Sequence, residues 1–180
     1  MAEPAAPDDA ALVRGTLAGR REDFDMLVAR HQRALYGFAY RFVHDHEQAA
    51  DVVQSTFLQA YAHLGQFAGR ASFATWLHQI ALNQCRALAR SAARARTVSL
   101  DAPDAPRFET PEVASGWHAG LERLIARLPL RQRAVLTLRV FSDLPFREIA
   151  RIEGITENAA KVNYHHAIKH LRRWLAGDDA

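Results

Sequence analysis

The chain has 180 residues, of which 49% are hydrophobic and 24% charged, so it can bury one medium core or two small ones. No apolar run reaches the length of a membrane span, and the acidic start lacks the cationic and apolar segments of a signal peptide. The single cysteine, Cys85, excludes an internal disulfide and a cysteine-based zinc site. We therefore expect a cytoplasmic protein that does not insert into a membrane.

Charge is distributed unevenly along the chain. Between Leu121 and Leu175 there are eleven Lys and Arg residues against five Asp and Glu residues, a net charge of +6. Between Met1 and Ser91 there are nine of each, a net charge of zero. The C-terminal part is therefore the better candidate for binding duplex DNA, which is a polyanion.

The first half of the chain has helical periodicity. We expect disorder over the first ten residues, then a long helix, a break over residues 44–48, and a second helix from Ala49 to His63. The inward positions of the long helix recur every three or four residues, at Phe24, Leu27, Val28, His31, Leu35, Phe38 and Phe42. No alternating strand pattern bounded by turns occurs, so the expected fold class is all-α.

The segment from Leu64 to Arg90 is the most informative, because a loop with two glycines leads into an amphipathic helix. Its apolar stripe comprises Phe73, Trp76, Leu77, Ile80 and Leu88. A different face carries Gln79, Asn83, Arg86 and Arg90. Such a helix suits a nucleic-acid strand whose bases can stack and be hydrogen-bonded. The alternative is a surface helix whose polar face is only solvated.

Residues 97–116 contain three prolines and carry a net charge of −3, which predicts an extended acidic linker rather than a helix. A second helical block begins near Gly116. Its first helix ends at Pro129, and its second is expected from Leu130 to Phe141.

A helix-turn-helix is predicted from residue 144 onward. Pro145 suits the first turn of a helix, Gly154 suits a turn with positive φ, and Thr156 suits the N-cap of the next helix. One face of that second helix carries Glu157, Asn158, Lys161, Val162, His165 and Lys169. A polar-faced second helix fits the major groove of DNA, and a plain helical hairpin is the alternative.

The sequence gives little support to an enzyme. His165 and His166 are adjacent and point about 100° apart on a helix, so they cannot chelate one metal together. His44 and His46 are likewise interpreted as surface or DNA-facing residues. Cys85 has no identifiable paired base. We predict no catalytic residues, no metal site and no cofactor.

Three motifs occur in order along the chain. Residues 49–58 read AADVVQSTFL, residues 67–77 read FAGRASFATWL, and residues 128–136 read LPLRQRAVL before the helix-turn-helix. Together they resemble regions 2 and 4 of the extracytoplasmic-function (group 4) sigma factors of the sigma-70 family. The order and spacing of the motifs match over about residues 20–175.

The resemblance implies two small helical domains, a region 2 bundle and a region 4 helix-turn-helix, joined by the acidic linker. The implied bounds are 1–19 for a flexible N-terminus with a first short helix, 20–91 for region 2, 92–117 for the linker and 118–176 for region 4. It also implies a transcription initiation factor that binds bacterial RNA polymerase core and directs it to promoters. The linker would thread toward the RNA path.

The resemblance further assigns surfaces to partners. Docking on the clamp helices of the largest catalytic subunit would fall to Asp51, Val52, Gln54, Ser55, Phe57 and Leu58. The flap of the second-largest subunit is a further implied contact. Family members are typically held by an anti-sigma factor that covers the docking surfaces. We expect such a partner here, and with it retention of a cytoplasmic protein at the membrane.

Promoter DNA would be read at two places. The melted −10 element would contact Gln66, Phe67, Arg70, Ser72, Gln79, Asn83 and Arg86. The duplex −35 element would contact Glu157, Asn158, Lys161, Val162, His165, His166 and Lys169.

The chain departs from the family pattern at several positions. Ala50 replaces the usual acid before the docking aspartate, and Ala87 replaces a usual aspartate. The recognition helix reads AAKVNY over residues 159–164 where the family often has TVKSRL, so the −35 specificity cannot be carried over; the prediction depends chiefly on Lys161 and His165. Two other hypotheses are a stand-alone helix-turn-helix regulator and a helical adaptor without a DNA role. The charge asymmetry argues against the adaptor.

Overall fold

The computed structural model describes residues 6–98 and 116–177, and all regular structure within these ranges is helical. The helices are α1 (Asp9–Leu17), α2 (Arg21–Val43), α3 (His46–Ala62), α4 (Phe73–Val98), α5 (Gly116–Arg127), α6 (Leu130–Val140), α7 (Phe146–Glu153) and α8 (Glu157–Leu175), with one 3-10 turn at Leu64–Gln66. The predicted all-α fold class is confirmed.

Helix α1 begins within the stretch for which disorder was predicted. The Asp8 carboxylate accepts a hydrogen bond from a first-turn backbone N–H at 2.7 Å and so caps the helix. Asp9 then ties α1 to α2, because its carboxylate lies 2.6 Å from the Arg30 guanidinium and 2.8 Å from the His31 imidazole. The prediction of disorder is therefore wrong at the start of α1, whereas residues 1–5 lie outside the described part of the chain.

The break predicted over residues 44–48 is confirmed at His44 and Asp45 and is wrong at residues 46–48, because α3 begins at His46. His44 ends α2 with a left-handed φ of 57°, and the Asp45 carboxylate accepts a hydrogen bond from the Gln48 N–H at 2.8 Å to begin α3. The expectation that His44 is a surface residue is wrong, because its ring is half-buried. Burial, with a smaller contribution from Arg133, lowers the pKa of His44 to about 4, so the imidazole is neutral at neutral pH.

Helices α2, α3 and α4 pack around one apolar core. Leu27, Phe38, Leu77 and Leu82 are fully buried there. On α4 the predicted stripe is wrong at Leu88, which is 36% exposed. The buried positions continue instead through Leu82 and Cys85. Their spacing keeps one face of α4 against α2 and α3.

Cys85 is fully buried in this core. Burial raises the pKa of its thiol to about 12, so the side chain is a small apolar group rather than a nucleophile. Helix α4 then continues to Val98, past the boundary expected at residue 91. Residues 97 and 98 of the predicted extended segment are helical, and residues 99–115 lie outside the described residues.

Helices α7 and α8 form the predicted helix-turn-helix. Gly154 ends α7 with a φ of 64°, a conformation that costs glycine little, and the Thr156 hydroxyl accepts a hydrogen bond from the Ala159 N–H at 3.1 Å to cap α8. Ala160 and Ala167 are fully buried, so the small side chains of α8 face the helices packed against it. This arrangement leaves the opposite face of α8 to solvent.

The helix-turn-helix packs against the first four helices, and one hydrophobic core runs through both parts. Val135, Leu138 and Ile149 belong to the same buried cluster as the core of α2 and α4. The Arg133 guanidinium joins the two parts, because it donates hydrogen bonds to the Phe42 carbonyl at 3.1 Å and to the Ala126 carbonyl. Within the described residues, the two parts therefore pack directly against each other, and we call this the closed arrangement.

Candidate nucleic-acid and protein interfaces

A groove of about 680 Å³ lies between α2 and α3. Its floor is aromatic: the Phe24 ring lies edge-on to Phe57, with centroids 6.4 Å apart, and to Tyr61 at 4.9 Å. Its rim is charged, with Arg21 and Asp25 among the lining residues. An apolar floor with a charged rim suits the apolar face of a partner helix.

The residues predicted to dock on polymerase do not all reach this surface. Asp51, Gln54, Ser55 and Leu58 are exposed, and Leu58 is 65% exposed despite being apolar. Phe57 is 7% exposed and lines the groove. Val52 is only 2% exposed, because its position on α3 points into the core; we therefore correct the prediction that it contacts a partner. We call the other five residues the docking surface.

The loop before α4 encloses a smaller cavity of about 420 Å³. Phe67 fixes the loop, because its ring packs at 5.2 Å from Trp76 and edge-on at 5.8 Å from Phe73. The Ser72 hydroxyl accepts a hydrogen bond from the Thr75 N–H at 3.1 Å and so caps α4. This bond gives Ser72 a structural role as the cap of α4, while its side chain is exposed and its base contact stays a prediction. The cavity itself has room for a planar ring.

Six predicted −10 residues surround this loop and the face of α4 that follows it, and we call them the −10 face. They are Gln66, Phe67, Arg70, Gln79, Asn83 and Arg86. Gln66, Arg70, Gln79 and Asn83 are exposed, so their polar atoms are available to a ligand.

Arg86 differs from the rest of the −10 face because α7 covers it. Its Nη2 lies 2.9 Å and 2.7 Å from the two carboxylate oxygens of Glu153, whose side chain is fully buried. Burial raises the pKa of Glu153, and the nearby Arg86 and Arg131 guanidinium groups oppose that shift. Nothing in the sequence indicates this pair, since its members are 67 residues apart along the chain.

The predicted −35 residues share one exposed face of α8, which we call the −35 face. All seven of them, Glu157, Asn158, Lys161, Val162, His165, His166 and Lys169, are exposed. Lys161 lies 2.7 Å from the Glu157 carboxylate, one helical turn away. The face is therefore open to a DNA duplex, with its cations at the surface where phosphates can reach them.

Arg147 is a further candidate that the sequence analysis missed. Its side chain is 75% exposed at the start of α7, and it shares a small cavity with Glu157 at the start of α8. The first helix of a helix-turn-helix crosses the DNA backbone, so a cation there suits a phosphate. Its place in the first turn of the helix predicted after Pro145 is the signal that the sequence contains.

The exposed His46 has ordinary aromatic partners. His46 lies 2.6 Å from the Tyr36 hydroxyl and stacks on Tyr40 with ring centroids 4.4 Å apart. Within the described residues, no group of three or more His, Cys, Asp or Glu side chains is arranged to hold a metal ion. In the same part of the chain, no helix combines the length and the apolar character needed to cross a bilayer.

Comparison with known proteins identifies the family of the chain. The family described as Sigma-70 region 2 matches residues 27–95, and Sigma-70, region 4 matches residues 118–171. The chain is 36% identical to the RNA polymerase sigma-H factor of Pseudomonas aeruginosa over 157 residues, which cover 80% of this chain and 81% of that protein. It is 32% identical to the ECF RNA polymerase sigma factor SigM of Mycobacterium tuberculosis over 169 residues, 93% of this chain and 84% of that one.

Solved structures share the fold. CnrH, in complex with the cytosolic domain of CnrY, superposes with a TM-score of 0.74 at 27% identity, covering 95% of this chain and 99% of that one. The sigma factor RpoE of Bartonella quintana, in complex with the anti-sigma factor NepR, superposes with a TM-score of 0.70 at 22% identity, covering 88% and 99%. The chain therefore belongs to the extracytoplasmic-function group of the sigma-70 family, the transcription initiation factors that direct bacterial RNA polymerase to promoters.

Proposed function

We propose that this sigma factor divides its work among the docking surface, the −10 face and the −35 face. The first four helices would act as region 2 and the last four as region 4, with the intervening segment as linker. The observation that carries the proposal is the ordered match to both regions together with an exposed basic −35 face. Every assigned role is binding, so no residue is given catalytic chemistry.

The docking surface on α3 is proposed to bind the clamp helices of the largest polymerase subunit. Leu58 is exposed although it is apolar, and it lies beside the aromatic floor of the groove. A large exposed apolar side chain at the edge of a groove is typical of a protein interface. Region 4 is proposed to contact the flap of the second-largest subunit.

The docking proposal is tested by titrating fluorescently labelled protein with purified core polymerase. We expect Leu58→Asp to weaken core binding by about tenfold or more, because a buried charge would replace an apolar contact. Leu17→Asp is the matched control, since Leu17 is a comparably exposed leucine, at 56%, on α1. Equal effects of the two substitutions would overturn the proposed docking surface.

The −10 face is proposed to read bases of the melted promoter strand. A base must leave the duplex stack before its edge can be read, which costs a few kcal/mol. The cavity beside Phe67 and Trp76 offers aromatic surface for stacking, and the Gln79 and Asn83 amides can hydrogen-bond a base edge. Stacking and hydrogen bonding together offset part of the unstacking cost.

The −35 face is proposed to lie in the major groove of the upstream element. Lys161, His165 and Lys169 present donors along the exposed side of α8. A stand-alone duplex-binding regulator is the second candidate function, because the −35 face is exposed in the closed arrangement. Specific duplex binding at full affinity without polymerase would favour that alternative.

An anti-sigma factor is the proposed inhibitor of this chain. CnrH and the Bartonella quintana RpoE were both solved as complexes, with CnrY and with NepR. The groove between α2 and α3 is a suitable receptor for a helix of such a partner, and occupation would exclude polymerase from the docking surface. We place the protein in the cytoplasm, held at the membrane when its inhibitor is membrane-bound.

A further inference from the structure

The C-terminal end of α8 carries two arginines that lie outside every surface assigned above. Arg172 and Arg173 are both exposed, and neither guanidinium group has a hydrogen-bonding or ion-pair partner among the described residues. With 3.6 residues per helical turn, they lie about 20° and 120° around the helix axis from Lys161, on either side of Lys169. They therefore extend the exposed basic side of the −35 face beyond the last residue assigned to it.

No acidic residue of α8 balances this charge. After Glu157 in its first turn, α8 contains no aspartate or glutamate, whereas its last two turns carry Lys169, Arg172 and Arg173. Cations in the last turn of a helix interact favourably with the helix dipole, which accounts for their charge but not for their alignment with the −35 face. The alignment indicates a polyanionic partner on the same side of the helix.

A stack of three side chains holds this end of the helix in place. The Arg127 guanidinium of α5 lies over the Trp174 ring, 4.6 Å from its centroid, and the His170 ring stacks on Trp174 with centroids 5.6 Å apart. The His170 Nδ1 lies 3.0 Å from the side-chain oxygen of Gln132 on α6. Helix α8 is thus fastened to α5 and α6 as far as its last turn, so the two arginines belong to a braced helix rather than to a frayed end.

The length of α8 determines which part of a DNA duplex these arginines reach. The recognition helix of a helix-turn-helix contacts base edges with its N-terminal residues, and in homeodomains the C-terminal end of that helix contacts the backbone. At 1.5 Å per residue, Arg172 lies about 16 Å beyond Lys161 along the helix axis. The major groove is about 12 Å wide, so a helix that crosses it with Lys161 inside carries Arg172 and Arg173 past its edge to a phosphate backbone.

We infer that Arg172 and Arg173 bind backbone phosphates of the duplex at the edge of the −35 element, outside the base pairs that the −35 face reads. The inference rests on the proposed placement of the −35 face in the major groove. Guanidinium groups bind phosphate oxygens through charge-assisted hydrogen bonds, which position a helix on DNA without reading the sequence. The pair therefore adds affinity that is the same for every promoter and helps to orient α8 in the groove.

Binding of the full chain to a fluorescent duplex of mixed sequence, at several salt concentrations, tests this inference. Because each phosphate contact releases counterions, we expect Arg172→Ala/Arg173→Ala to weaken binding by about tenfold or more and to reduce the salt slope of log K by about two. Arg172→Lys/Arg173→Lys keeps both charges and is expected to keep the slope. Arg14→Ala/Arg123→Ala is the matched control, since it removes two exposed arginines from α1 and α5 and is expected to keep the slope as well.

Two outcomes overturn the inference. In the first, the alanine pair at 172 and 173 has the same slope as the control pair. In the second, it leaves duplex binding unchanged but weakens binding to core polymerase, which would assign the arginines to a protein contact. Alanine favours helix and both positions are exposed, so helical circular dichroism is expected to be retained. If it falls, Arg172→Gln/Arg173→Gln, which keeps the apolar part of each side chain, decides the question in the same assay.

Lys161→Ala separates this inference from the proposed function. Loss of duplex affinity in Lys161→Ala, together with unchanged binding by the alanine pair at 172 and 173, overturns the inference and leaves the −35 face standing. An unmodified chain that does not bind the duplex at all contradicts the −35 face itself, and with it the proposed reading of the upstream element.

Discussion

At the scale of single residues, Lys161 is the clearest candidate for a phosphate or base contact on the −35 face. It is exposed, and its ammonium group lies 2.7 Å from Glu157, a surface pair that a phosphate can replace at little cost. We expect Lys161→Ala to weaken binding to −35 duplex and to lower the salt slope of log K by about one. Arg14→Ala, on the exposed surface of α1, removes the same charge as a control. If Lys161→Ala leaves the slope unchanged, Lys161 contacts a base or does not contact the DNA.

Asn83 is the residue of the −10 face with the simplest expected phenotype. Its amide is exposed on α4 and can both donate to and accept from a base edge. We expect Asn83→Ala to reduce promoter opening by about tenfold, the worth of one or two hydrogen bonds, while core binding is retained. Permanganate footprinting of the melted strand measures the first quantity and core titration the second. Equal loss of both would contradict the assignment.

The burial of His44 leads us to predict how the stability of the fold depends on pH. Its pKa falls from 6.5 in an unstructured chain to about 4 in the fold, because burial penalises the charged imidazole. The unfolded chain therefore binds more protons between these values, so stability is full above pH 6.5 and falls as the pH drops toward 4. The loss is at most about 3 kcal/mol, since each pKa unit is worth about 1.4 kcal/mol.

His44→Asn is the variant that checks this dependence, since asparagine tolerates the left-handed backbone at this position. Denaturant unfolding followed at several pH values is expected to show a shallower loss for the variant. Some dependence will remain, because burial also lowers the pKa of His78. Identical pH profiles for the two proteins would contradict the account.

The sequence predicts contacts well where spacing is local and poorly where it is not. The Thr156 cap and the Gly154 turn follow from neighbouring residues and are confirmed. The partner of Arg86 could not be predicted, because Glu153 is 67 residues away and belongs to a different packing unit. Val52 was misassigned for a related reason: the spacing on α3 does not tell which apolar residues face the core and which face a partner.

At the scale of elements, the turn between α7 and α8 sets the geometry of the −35 face. Gly154 has a φ of 64°, where a side chain would clash with the backbone. We expect Gly154→Ala to lower the free energy of unfolding by about 1 kcal/mol and to weaken −35 binding. Gly120→Ala, at an open position inside α5, is expected to raise it by about 0.5–1 kcal/mol. Equal effects of the two substitutions in chemical denaturation would contradict the role assigned to the turn.

Helix ends were predicted most reliably where a cap or breaker marks them. Pro129 and Pro145 each precede the helix that the sequence predicts after them, since proline lacks the N–H that a helix start leaves unpaired. The end of α4 could not be predicted, because the run beyond residue 91 has neither glycine nor proline to stop it before Val98. The same lack of a stop explains why a compositional shift was misread as a structural boundary.

At the scale of the whole molecule, the order of the two regions is readable from sequence but their packing is not. The apolar periodicity of α6 and α7 serves two purposes, because Leu138 and Ile149 fill the helix-turn-helix and also join the core of α2 and α4. Periodicity alone does not tell whether an apolar residue packs within its own region or against the other region. The packing of the two regions against each other is therefore visible only in the fold.

The central claim is that this chain directs polymerase to promoters through its three surfaces. The most direct measurement is run-off transcription with purified bacterial core polymerase on a library of randomised upstream sequences, with and without the protein. We expect the protein to enrich transcripts from templates that share a paired −35 and −10 motif, and core polymerase alone to enrich none. Transcripts that are no more selective with the protein than without it would contradict the account.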